Sequence, residues 1–68
     1  MFRKNEVWRH DNCLDMDLYI LKKVYRSAAY TRLRVLYMNR HTGDLFTSVP
    51  ETVKIKREDF DHWKLIKE

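Results

Sequence analysis

The sequence predicts an all-β domain of five strands, with one short helical turn before the last of them. Three observations carry this. Residues Thr31 to Asn39 alternate with period two and are rich in strand formers. Val53 and Ile55 repeat that alternation between Lys54 and Lys56. Glu58-Asp59-Phe60-Asp61-His62 then interrupts it with acids that suit a helix N-terminus. A chain of 68 residues has room for one core only, so residues 1–68 form a single domain. The hydrophobic content of 44% and the single Gly and Pro argue against disorder or a linker. Either a monomer or a homodimer fits this size.

The elements follow in order. Val7-Trp8-Arg9-His10 is a candidate first strand, ended by Asp11-Asn12. Leu14 to Arg26 has two readings. As a helix, Leu14, Leu18, Leu21 and Tyr25 fall on one side, with acids at the start and Lys22, Lys23 and Arg26 at the end. Asp17 lies on that apolar side and counts against it. As a strand, Asp17 to Leu21 is apolar on both faces, which suits a bent strand shared by two packed layers. The strand reading gives the all-β fold. The helix reading gives an α+β fold, with a helix at 12–26 packed on a small antiparallel sheet. Ser27-Ala28-Ala29 is a tight connection to the strand at Thr31 to Asn39.

Arg40-His41-Thr42-Gly43-Asp44 reads as a turn, with Gly43 free to take positive φ. Leu45 to Ser48 is expected to return as the second arm of a hairpin. Leu33, Val35 and Tyr37 then lie beside the even positions Phe46 and Ser48, whereas Val53 and Ile55 are odd. One extra residue near Pro50 flips the alternation and keeps both runs facing the core. Thr52 to Arg57 follows as a strand. Phe60 is the expected core plug of the helical turn, and Trp63 to Ile66 closes the fold. Trp8 and Trp63 are expected in the core, where first and last strands meet.

This order of elements, carried by Val7-Trp8-Arg9-His10, Leu33 to Asp44 and Val53 to Ile66, resembles an SH3-like small barrel. The resemblance implies five strands in a partly open barrel with a 3₁₀ turn before the last. It does not imply the SH3 peptide groove, because the loop after the first strand reads Asp11-Asn12-Cys13-Leu14-Asp15. The aromatic-basic start and the closing Phe60-x-x-Trp63-x-Leu65-Ile66 segment are also similar to small uncharacterised phage proteins.

Charge is the strongest functional signal. Between Asp17 and Asp44 there is no acidic residue, while Lys22, Lys23, Arg26, Arg32, Arg34 and Arg40 interleave with tyrosines. The net charge of +4 understates this asymmetry. Outward strand positions give Arg32, Arg34, Lys54 and Lys56, with Arg57 adjoining, and Tyr30 and Tyr19 as stacking platforms. Such an array suits nucleic acid or an acidic protein surface, and a merely solvated strand face remains the plain alternative. Glu51 and Glu58 are near enough in sequence to neutralise part of it.

Other chemistry finds little footing. Asp15 and Asp17 have no nucleophile or His placed to complete a catalytic set, so no enzyme is expected. One Gly cannot build a phosphate loop. His10-x-x-Cys13 is half a zinc site without a second pair, and neither metal nor cofactor is expected. Cys13 is the only cysteine, so no internal disulfide forms. No signal-peptide core follows Met1-Phe2-Arg3, and no apolar run reaches membrane-spanning length. The expectation is a cytoplasmic, non-enzymatic binding module, in a cell or infected host, with no small-molecule substrate. The alternative is a protein-binding adaptor or inhibitor, phage-encoded, that docks on a host protein.

Overall fold

A computed structural model describes residues 1–46 and 48–68. The strands are β1 (Val7–His10), β2 (Met16–Arg26), β3 (Tyr30–Asn39), β4 (Glu51–Lys56) and β5 (Trp63–Lys67), with a 3₁₀ helix at Arg57–His62. They form one five-stranded antiparallel sheet in the order β4-β3-β2-β1-β5. The fold is therefore all-β, and the helix considered for 12–26 is replaced by β2. The sheet is not closed: β4 and β5 are its two edges.

The long strand reads ambiguously because it is bulged. Its register against β3 slips between Ile20 and Lys22, and again between Lys23 and Tyr25. Each slip sets one residue, Leu21 or Val24, outside the ladder. Tyr19, Lys22 and Tyr25 consequently share a face at intervals of three, and Leu21, part of the helical spacing Leu14, Leu18, Leu21 and Tyr25, is a bulge residue. The bulges also bend the strand, as expected for a segment whose Leu18 and Ile20 are buried on one side and Asp17 on the other.

One face of the curved sheet holds the core. Trp8, Leu18, Ile20, Leu33, Val35 and Ile55 meet there, and Tyr37, Val53, Phe60 and Trp63 pack against them. At the centre sits Phe2, fully buried, with ring centroids 4.6 Å from Trp8, 5.5 Å from Phe60 and 5.9 Å from Trp63. The tryptophans thus converge through Phe2, and Phe60 shares the role of plug with it. The segment after Phe2 is tied down locally. Glu6 Oε1 accepts from Arg3 N at 2.6 Å and from Trp8 Nε1 at 3.0 Å. Asn5 N donates to Ile20 O, and Ile20 N to Glu6 O, which fastens the segment along β2. Phe2 and Asn5 both have positive φ, 58° and 69°. Asn tolerates that region, whereas at Phe2 the strain is offset by burying a whole ring.

The β3–β4 connection turns at Arg40 to Thr42, and Gly43 takes φ 80° as expected. The return arm is shorter than the sequence suggests. Leu45 bridges Met38 and Phe46 N donates to Tyr37 O, but the regular strand resumes only at Glu51. Thr47, within the expected arm, lies outside the described residues. Continuing the Met38–Leu45 register would set Val35 opposite Ser48; it pairs with Glu51 instead, a slip of three residues. An odd slip flips the alternation, as required to send Val53 and Ile55 inward, although a single extra residue was expected. Phe46 does not join the core and is half exposed.

Candidate nucleic-acid interface

The other face of β2, β3 and β4 carries the basic residues in cross-strand rows. Arg34 lies between Lys22 and Thr52, and Arg32 between Tyr25 and Lys54. Tyr30 pairs with Lys56 in the next row. Partners in a row share a face, so strand parity alone turns these side chains away from Leu33 and Val35. Arg32, Arg34, Lys54 and Lys56 are all exposed.

Tyr30 organises one end of this face. The Ser27 hydroxyl accepts from Ala29 N and Tyr30 N at 3.2 Å each and fixes the tight turn that starts β3. Lys54 Nζ stands 4.4 Å from the Tyr30 ring centroid and Arg32 Cζ 5.6 Å from it, both within cation–π range. Arg57 is brought in by its backbone, whose N–H donates to Ala29 O at 2.9 Å. Ala29, Tyr30, Lys54, Lys56 and Arg57 then line a shallow open depression of about 530 Å³, with Glu58 at its rim.

Glu58 stays beside this face and lines the same depression, but the ion pairs lie away from it. Among the described residues the ion pairs are Arg9–Asp17, His10–Asp59 and His62–Asp11. None uses a cation of the β2–β3–β4 face. Burial, and after it the nearby Glu51 carboxylate, holds the Tyr37 phenol above its ordinary value. Arg34 Nη1 donates to the neutral Thr52 hydroxyl at 3.2 Å.

Of the residues singled out from sequence, Arg32, Arg34, Lys54, Lys56, Arg57 and Tyr30 come together. Tyr19 lies on the same face, one row beyond Arg34 and away from the Tyr30 end. It pairs with Val7 and Leu36, and its hydroxyl donates to Asn5 Oδ1 at 3.1 Å. Leu36 is six residues from Tyr30 along β3, which sets Tyr19 about 20 Å from the Tyr30 end. Lys22 and Tyr25 belong to the face and were missed. Their signal was the three-residue spacing from Tyr19, legible only once the bulges are known.

Two further arrangements bear on chemistry. Arg9 grips Asp17 with two parallel bonds of 2.9 and 3.0 Å, and this contact raises the guanidinium pKa. His10 Nε2 faces both oxygens of Asp59, while its Nδ1 accepts from Asn12 N, so the proton lies on Nε2 in the neutral ring. Among the described residues no group of three or more His, Cys, Asp or Glu is placed to hold a metal ion. Likewise, no helix is long and apolar enough to cross a membrane. In comparisons with known protein families, curated proteins and solved structures, no match to this chain was found.

Proposed function

We propose that this chain is a small, non-enzymatic, cytoplasmic binding module that holds nucleic acid, alone or in a nucleoprotein, on the outer face of β2, β3 and β4. The observation that carries this reading is the set of exposed cations at Arg32, Arg34, Lys54, Lys56 and Arg57, none in an ion pair with a carboxylate among the described residues. Crowding like charges disfavours the folded state, and a polyanion covering them relieves it. The mechanism is release of condensed counterions as side chains meet phosphates, with positioning on the backbone and little reading of base edges. The strand order and the 3₁₀ turn before β5 support an SH3-like small barrel as the scaffold.

Fluorescence anisotropy with labelled DNA and RNA across a salt series tests this. Binding is expected to weaken steeply with salt, with a log–log slope of roughly 0.7–0.9 per phosphate engaged. Reversing both Arg32 and Arg34 to Glu is expected to abolish binding at every sequence. Unchanged affinity in that variant would remove the proposal.

A second reading has its own observation. Leu45 and Phe46, in the β3–β4 connection, are half exposed, and Leu14 is more so. Such residues suit a protein-binding adaptor or inhibitor, phage-encoded, docking on a host protein. A stoichiometric partner retained after nuclease treatment, and lost when Phe46 becomes Ser, would favour it.

A further inference from the structure

We infer that Tyr25 is a stacking platform for an unpaired base, which makes the ligand of this face a single-stranded nucleic acid. This rests on the reading of the face as a nucleic-acid interface and names the class of strand it takes.

Two tyrosines lie at this end of the sheet, and they differ in what their rings already hold. The Tyr30 ring is occupied by Lys54 and Arg32, at 4.4 and 5.6 Å. Tyr25 is 49% exposed and leans on Tyr30, ring centroids 5.4 Å apart and tilted by 38°. One neighbour thus buttresses Tyr25 while half of it faces water. Tyr30 acts as a rack for cations, and Tyr25 offers the open π-surface.

The position of that ring among the charges fits a single strand. Tyr25 shares its row with Arg32 and Lys54. One row along β3, about 7 Å away, stand Lys22 and Arg34. In the opposite direction come Lys56 and Arg57, beyond Tyr30. A strand running along β3 would therefore meet cations, an exposed ring, then cations again. That is the order of phosphate, base and phosphate. In a duplex the bases are paired and stacked inside, so it would engage the cations and leave Tyr25 unused.

The bulges of β2 create this order. Without the slips at Leu21 and Val24, the two outward residues between Tyr19 and Tyr25 would be Leu21 and Lys23. With them, Lys22 takes the place between the rings, opposite Arg34.

The test compares three labelled probes at low salt by anisotropy: an oligothymidylate of twelve nucleotides, a duplex of equal length, and an abasic strand with the same phosphates. The wild-type protein is expected to bind oligothymidylate more tightly than the abasic strand by about 5- to 100-fold, the size of one base–aromatic stack. Tyr25→Leu is expected to erase that preference and leave the salt slope intact, and Tyr25→Trp to restore it. Equal binding of the base-bearing and abasic strands by the wild type overturns the inference and leaves the nucleic-acid reading standing. So does a preference for duplex, or a preference lost in Tyr30→Leu and kept in Tyr25→Leu. Absence of binding to all three probes overturns both.

Discussion

Asp59 shows how a surface carboxylate becomes a structural part. It accepts from His10 Nε2 at 3.1 Å and from Trp63 Nε1 at 3.2 Å, and so joins β1 to the 3₁₀ helix and β5. The bond to His10 is the main reason its carboxyl titrates below the ordinary value of 3.8. A depressed folded-state pKa contributes stability above the unfolded value, and that contribution is lost as pH falls through the folded one. Glu6 behaves likewise, held low first by the Arg3 backbone N–H. Asp59→Asn is therefore expected to flatten the acid limb of the stability curve below about pH 4. Urea midpoints taken between pH 2 and 7 would check it, and an acid limb as steep as wild type would contradict it. Asp17 makes the opposite contrast: it is 3% exposed, and its partner Arg9 keeps a quarter of its side chain in water. Burial of that kind needs both bonds, since either group alone would be stranded in a poorly solvated place.

At the scale of elements, periodicity decided what was legible. β1, β3 and β4 carry clean local signals, and their bounds lie within a residue of those expected. β2 spoiled its own period-two signal by slipping twice against β3, and local residues cannot announce a slip that depends on a partner strand. The basic stripe on β3 and β4 was readable because an unbulged strand alternates strictly. Lys22 and Tyr25 escaped because they reach that face only through the bulges. Phe2 escaped because nothing periodic surrounds it. The turn at Gly43 was readable from one residue. Its φ of 80° is left-handed, and an added Cβ would meet nothing within 4 Å. Gly43→Ala is thus expected to cost about 1 kcal/mol through backbone conformation alone. Chemical denaturation would show it as a lower midpoint with an unchanged slope, and a neutral result would mean the turn had relaxed.

The whole molecule has a small core with an aromatic at its centre. Total stability for this length is roughly 3–10 kcal/mol, and removing a buried Phe costs about 3–5 kcal/mol. Phe2→Ala is therefore expected to lower the melting temperature by at least about 12 °C, or to abolish a cooperative transition. Circular dichroism on heating would report it, with Phe2→Leu intermediate, and a shift of only a few degrees would place the first residues outside the core. The same ring has a consequence for synthesis. The ribosome makes Phe2 some 58 to 61 residues before Phe60 and Trp63, which cover it. At about 5–20 residues per second, the ring waits roughly 3–12 s for its neighbours. The pairing of Val7 with Lys67 is equally late, because it spans nearly the whole chain. Over that interval the nascent chain displays Phe2 and Trp8 without a lid, as a ready ligand for holding chaperones.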